Sequence, residues 1–245
     1  MKYQVESHSS KGPYRDNNED AIDFGFDESA DFFWMIVADG MGGHKAGEVA
    51  SDMLAQLVKR EIKELNQNYA QNWEQWIQTV IEQANGAIYQ AAKKSKKLSG
   101  MGTTGVLLIL YQKQCFIGWV GDSRAYLLRT RELSQLTRDH SAIQYLLDKG
   151  SITAEEAEQS DNKHLLSRAI GVGKTIEVDV ISNNLSLGDT LFLSTDGIHD
   201  YLSNMVLSGY LADFSAGRKV AAKMINQAMA QGSRDNLTLG IVSLR

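Results

Sequence analysis

The chain has 245 residues, a formal net charge of −5, 43% hydrophobic residues, one proline and one cysteine. That length suits one domain with a full core, and the acidic balance argues against a broad nucleic-acid surface, which is normally basic. The lone Cys115 excludes a disulfide framework and a thiolate zinc site, and it suits a reducing compartment.

The opening "MKYQVESHSS" is alternating and polar rather than a basic-then-apolar leader. No apolar stretch approaches the roughly 20 residues that span a bilayer. The expectation is a cytoplasmic monomer that binds neither membrane nor nucleic acid.

In chain order, "AIDFGFD" alternates and "FFWMIVADG" is continuously apolar, so both predict strands, the second buried. Val49, Ala50, Met53, Leu54, Leu57, Val58, Ile62 and Leu65 then recur at three- and four-residue steps, one face of a long helix. A second helix carries Trp73, Trp76, Ile77, Val80, Ile81, Ala84, Ile88 and Ala91, and ends in "KKSKK", where cations favour the negative terminus. Three strands follow over 104–129: "TGVLLILY", "QCFIGWVGD" and "RAYLLRT". Residues 138–175 mix short helices with polar joints and read as an excursion from the sheet. Strands resume with "TIEVDVI" and "GDTLFLSTDG"; a helix, "GRKVAAKMINQAMA", precedes the closing strand "NLTLGIVSL". Helices segregated from strands predict a layered α+β domain rather than βαβ units.

Three glycine or serine motifs fail on context. "GMGTTG" at 100–105 fits G-x-G-x-x-G, but a lysine-ended helix precedes it and a strand follows, the reverse of what a pyrophosphate needs. "GVGKT" at 171–175 would be a P-loop only with glycine at 168, which is Arg168. "GDSRA" at 121–125 approaches a nucleophile elbow, with His140, His164 or His199 to complete a triad; the elbow needs a helix after the serine, and "RAYLLRT" reads as strand. A serine hydrolase is the alternative enzyme reading.

The acids carry more. Asp39 ends an apolar strand and meets Gly40; Asp196 in "TLFLSTDG" repeats that grammar. Asp20 closes "RDNNED" before a strand, and Asp235 in "SRDNLT" precedes the last one. Carboxylates at strand ends can converge at one sheet edge, where like charges raise each other's pKa until a divalent cation compensates. Oxygen-only donors point to Mg²⁺ or Mn²⁺. Gly40 lets the backbone turn and offer its carbonyl to the same ion.

"RDNNED", "ADGMGGHKAGE", "GMGTTGV", "GDSRAYLL", "TRDHS", "LSRAIG", "STDGIHD" and "SRDNLT" occur in the order found in bacterial type 2C metal-dependent protein phosphatases, which the chain resembles from about residue 4 to its end. The resemblance implies a four-layer α/β/β/α sandwich of two antiparallel sheets, one domain over 1–245, with a flap at about 138–170. It implies a two-metal centre in which Asp39 bridges both ions, the Gly40 carbonyl and Asp196 and Asp235 serve as ligands, and Asp20 acts partly through water. Asp122, with Asp196 or Asp200, matches a weaker third-metal site, and Arg15 matches the arginine that binds substrate phosphate. The implied reaction is hydrolysis of phosphoserine and phosphothreonine in proteins by in-line attack of a bridging metal-activated hydroxide, opposing a Ser/Thr kinase. No covalent phosphoenzyme is required, which leaves Cys115 to core packing. Relatives with Asp-Gly-His place a proposed general-acid histidine where this chain has Met41; His44 is nearby, and the general acid stays unassigned. A catalytically inactive phosphoprotein-binding domain is the reading from another class.

Overall fold

The computed structural model describes residues 2–42, 46–65, 67–69, 71–158, 160 and 165–245. The chain runs β1 (Tyr3–Ser10), β2 (Asp20–Asp27), β3 (Phe32–Met41), α1 (Ala46–Glu64) and α2 (Trp73–Lys94). A 3₁₀ turn at Lys96–Leu98 leads to β4 (Gly102–Thr103), β5 (Gly105–Tyr111), β6 (Gln114–Val120), β7 (Arg124–Arg129) and β8 (Glu132–Gln135). Then come α3 (Ala142–Asp148), α4 (Ala154–Glu158), β9 (Asp179–Asn184), β10 (Thr190–Ser194), α5 (Asp196–His199), α6 (Asn204–Ser215), α7 (Ala221–Ala230) and β11 (Leu237–Leu244).

The strands form two antiparallel sheets, ordered β1-β11-β10-β7-β8 and β2-β3-β5-β6-β9, with the two-residue β4 hydrogen-bonded to β3. Period-two alternation explains why β3 is apolar throughout: its two faces have different neighbours, and both are dry. Phe32, Trp34, Ile36 and Ala38 pack with α1 and α2, while Phe33, Met35 and Val37 face the other sheet. Leu54, Val58, Ile77 and Ile81 form the helical side of the first cluster. Across the molecule, Tyr126, Phe192, Leu239 and Ile241 take Leu207, Leu211, Phe214, Met224 and Ile225 from α6 and α7. The result is the expected α/β/β/α sandwich. At its centre a Cβ on Gly240 would strike the Met35 sulfur, so the bare backbone there lets the sheets close.

Two local expectations shift. The strand expected at "TIEVDVI" begins at Asp179 and runs to Asn184, because it pairs with β6 only from Trp119↔Asp179 onward. The polar opening is a full strand, β1, paired residue by residue with β11 from Tyr3↔Leu244 to Ser10↔Leu237. Its half-buried edge position needs no apolar run. Both ends of the 138–170 segment are pinned: Ser141 bridges Leu166, and Ile170 bridges Thr103. Cys115 is fully buried, and burial pushes its thiol up to about 11, as suits a packing role. No helix among the described residues is long and apolar enough to cross a membrane.

Candidate metal centre and phosphate site

Asp39 is fixed before any ion is considered. It lies opposite Asp20 in the β2–β3 register. Its carbonyl accepts from the Thr104 amide (2.8 Å) and the Thr103 hydroxyl (2.9 Å), and its own amide donates to the Thr104 hydroxyl (3.0 Å). The two threonines come from "GMGTTG", so that motif is a clamp on Asp39 and not a nucleotide loop. Thr104 also shares a hydrogen bond with the Ser123 hydroxyl at 2.7 Å, which ties the strand holding Asp39 to the segment holding Asp122. Gly40 has no room for a side chain: a Cβ there would collide with the backbone oxygens of Gly47 and Glu19. The start of α1 thereby comes up against the end of β3.

The second sheet delivers the remaining acids. Asp196 opens α5 immediately after β10, and Asp235 precedes β11, β10's hydrogen-bonded neighbour. Asp122 sits where the chain leaves β6 in one sheet to enter β7 in the other. The Thr195 hydroxyl donates to Asp20 Oδ2 at 3.0 Å, while Asp20 Oδ1 is buried with no hydrogen-bond partner. Asn236 gathers the loop before β2: its side chain accepts from the Glu19 amide (2.8 Å) and donates to the carbonyls of Lys11 (3.0 Å) and Asn17 (2.9 Å).

The electrostatics follow from this convergence. Burial pushes Asp20 up to about 8, and Asp196 and Asp235 add to the shift. Asp39 is held well above the usual carboxylate range by burial first, then by Asp20, Asp196, Asp122 and Asp235. Asp122 rises to about 8 through burial, Asp196 and Asp139. Asp235 is raised by burial and Asp196, with Arg15 pulling the other way. Such a group of acids needs either protons or a cation.

A hard divalent cation fits the donor set, which is all oxygen, and the orphaned Asp20 Oδ1 is a buried acceptor waiting for a positive partner. Among the described residues no three of these side chains close around one point as a finished cage. Uncompensated like charges hold apart, and Asp235 is engaged elsewhere: Arg15 Nη2 lies 2.6 Å from its Oδ2.

Arg15 is about half exposed (47%) and lines a cavity of about 360 Å³ with Asp196, Asp200, Tyr201, Arg234 and Asp235. A larger cavity of about 630 Å³ lies between the acids Asp122, Asp196 and Asp200 and the flap residues Ile143, Gln144, Leu147 and Ala157. Asp200 is exposed there, beside Asp122.

The predicted site residues therefore meet at one edge of the sandwich. The alternative triad does not form: Ser123 is buried (1% exposed), bonds Thr104, and is followed by strand β7. His199 bonds Ser194, and burial holds its pKa well below the usual value. His140 accepts from the Gly121 amide. His164 and His44 lie outside the described residues. Sequence reasoning missed Thr103, Thr104, Thr195 and Asn236 as positioning residues. For Thr195 and Asn236 the signal was available, since each stands beside a predicted ligand, Asp196 and Asp235; Thr103 and Thr104 carry none.

Comparison with known proteins gives the class of this fold. The family model for protein phosphatase 2C matches residues 6–237. The serine/threonine phosphatase stp of Listeria monocytogenes is 38% identical over 239 residues, 97% of this chain and 94% of its own. The serine/threonine phosphatase PstP/Ppp of Mycobacterium tuberculosis has a TM-score of 0.88 at 30% identity, covering 99% of each chain. A structure of the PstP catalytic domain in complex with two manganese ions gives 0.84 at 29% identity, with 98% and 97% covered. The chain belongs to the protein phosphatase 2C family and is a protein serine/threonine phosphatase.

Proposed function

We propose that this edge is a divalent-metal centre at which phosphoserine and phosphothreonine in proteins are hydrolysed. The observation that supports it most is the convergence of half-buried Asp39 and its buried register partner Asp20 with half-buried Asp122, Asp196 and Asp235 from elsewhere in the chain. Asp39 would serve both cations, the Gly40 carbonyl, Asp196 and Asp235 would be further ligands, and Asp20 would act partly through water. Mg²⁺ and Mn²⁺ both suit the oxygen donors. Asp122, with Asp196 or Asp200, would hold a weaker third ion.

Two such cations supply a water of lowered pKa and neutralise charge on the phosphoryl group. The protein's own residues do the rest. Thr103 and Thr104 keep Asp39 from drifting, and Thr195 orients Asp20. Arg15 engages Asp235 and the Arg234 carbonyl through only part of its five-donor fork, leaving N–H groups to grip two phosphate oxygens. Its place in the cavity lining, beside Asp235, supports a role in binding substrate. The chain acts as one domain with residues 138–170 as a flap. It is a cytoplasmic monomer opposing a Ser/Thr kinase.

The test is a phosphopeptide assay on metal-stripped protein. Activity is expected only with Mn²⁺ or Mg²⁺, and Asp39→Ala is expected to fold normally yet lose at least about 10³-fold in kcat, as enzymes do when the group organising the nucleophile is removed. Near-normal turnover by folded, metal-free protein overturns the proposal. A folded wild type that binds phosphopeptide but never hydrolyses it would establish an inactive binding domain instead.

A further inference from the structure

Several cations of this acidic chain are paired with carboxylates. Arg124 pairs with Asp139, Arg129 with Asp189, Arg168 with Asp179, Arg218 with Asp213 and Lys59 with Asp23. The end of α2 differs. Lys93, Lys94, Lys96 and Lys97 are exposed within five positions, and none has a carboxylate partner. Two of them border a groove of about 380 Å³, walled by Tyr89, Lys93 and Lys96 on one side and by Gly100, Gly171 and Val172 on the other. The Lys93 ammonium lies 4.5 Å from the centre of the Tyr89 ring, a contact that holds it over the groove without neutralising it.

The Val172 wall of the groove packs near the end of β3. Val172 Cγ2 and Met41 Cε close on the bare α-carbon of Gly102, at 2.8 and 2.9 Å from where a Cβ would stand. The groove wall therefore abuts the residue two positions beyond Asp39. Macrodipole compensation at the end of α2 accounts for Lys93 and Lys94, inside its last turn. It does not account for Lys96 and Lys97, which lie past the helix, nor for the concavity.

We infer that this lysine-lined groove docks an acidic segment of the phosphoprotein substrate, on the polypeptide flanking the phosphorylated residue. A concave groove suits an extended chain rather than a flat lipid surface, and extended polypeptide advances about 3.3 Å per residue, so the acidic run is placed several residues from the phosphorylated one. The inference rests on the phosphatase reading, which it deepens by naming a substrate class.

The experiment compares two phosphopeptides that differ only in a run of four Asp/Glu or four Ser/Gly placed to one side of the phosphoserine. With Mn²⁺ present, wild type is expected to favour the acidic peptide by about 3–10-fold in kcat/KM at low salt, the sum of a few exposed ion pairs. The preference is expected to vanish in about 0.5 M salt. It is also expected to vanish in Lys93→Glu/Lys96→Glu and to fall in Lys93→Ala/Lys96→Ala, with p-nitrophenyl phosphate turnover and Tm unchanged. A second readout needs no chemistry: a fluorescent, unphosphorylated acidic peptide is expected to bind wild type more tightly than either variant. Hydrolysis without any preference, or a preference that both variants retain, overturns the docking site. Co-sedimentation with phosphatidylserine vesicles in place of peptide binding also overturns it. Failure to hydrolyse either peptide would count against the phosphatase reading, and the binding readout would still decide the groove.

Discussion

The metal edge and the flap face each other across one cavity and are built on opposite plans. At the edge, backbone and side chains are locked: Asp39 has threonine contacts at both its amide and its carbonyl, and Gly40 is wedged against Gly47 and Glu19. In the flap, among the described residues, the backbone ties to the rest of the fold lie at the feet. Ser141 bridges Leu166, the Ser167 amide donates to the His140 carbonyl, and His140 is held by Gly121 and Asp179. Between those feet Tyr145 is 60% and Leu165 61% exposed, and among the described residues Ile143 and Ala157 are the buried apolar side chains. A site that positions charge needs rigidity, whereas a segment that meets varied protein partners can do with less.

The largest effect expected of a single residue outside the ligand set is at Arg15. Arg15→Ala is predicted to lower kcat/KM for phosphopeptide by about 10–100-fold, the loss of a charge-assisted bond worth roughly 1.5–3 kcal/mol, chiefly through KM. Inhibition by free phosphate is expected to weaken in parallel. Unchanged KM and unchanged phosphate inhibition would reduce Arg15 to a structural partner of Asp235.

Thr104→Val tests the lock itself. The substitution keeps the β-branched shape and removes the acceptor for the Asp39 amide and the link to Ser123. A buried amide left unpaired is predicted to cost about 1–3 kcal/mol, read by denaturant midpoint, with metal affinity reduced as Asp39 loosens. Wild-type stability and metal affinity in this variant would show that the strand alone holds Asp39.

A third test titrates the edge. Asp20 and Asp122 are raised to about 8 in the folded protein, so between their unfolded values and pH 8 the fold retains protons that the unfolded chain releases. The stability they contribute is present at low pH and is lost as pH rises toward 8. His199 and His140, both shifted down, act in the opposite sense only below about 6.5, their ordinary value, so the window above it isolates the carboxylates. Metal-stripped protein is predicted to lose roughly 1–2 kcal/mol per such carboxylate from pH 6.5 to 8, at about 2–4 °C of Tm each kcal/mol, and saturating Mn²⁺ should remove most of that slope. A Tm that rises over this window in the absence of metal would contradict the convergence of the acids.

The contrast also explains what was legible from sequence. β3 could be read because ten consecutive positions are shaped by two dry faces, and its end by an acid followed by glycine. The acids could be read because each stands at a strand boundary. β1 could not, because an edge strand half open to water leaves only weak alternation. α6 was missed although Leu207, Leu211 and Phe214 in "NMVLSGYLADFS" stand at i, i+4 and i+7: Ser208 and Gly209, off that stripe, are poor helix formers, and the helix is fixed by docking on β7 and β10. The threonine clamp was hidden inside "GMGTTG", since hydroxyl-to-backbone bonds leave no periodic trace.

The flap gives the smallest expected effect and the sharpest test of the comparison. Gln144 lies on its inner wall, facing Asp122, Asp196 and Asp200 across the larger cavity, and its side chain is steadied by Asp148 at 2.7 Å. Lys149 and Glu155 are exposed, with Lys149 over the Tyr145 ring at 5.6 Å. None of the three touches the acids that define the edge, so a small aryl phosphate, which ends at the phosphate, has no reason to sense them. A phosphoprotein presents chain on both sides of the scissile group and must pass this wall. Gln144→Ala is predicted to change phosphoprotein turnover by about 2–5-fold, within the range of one exposed polar contact, and Lys149→Ala and Glu155→Ala by less. Hydrolysis of p-nitrophenyl phosphate should stay within error for all three. Equal loss on both substrates would mean that the flap supports the metal site, and unchanged rates on both would leave it a packed subdomain with no part in choosing substrates.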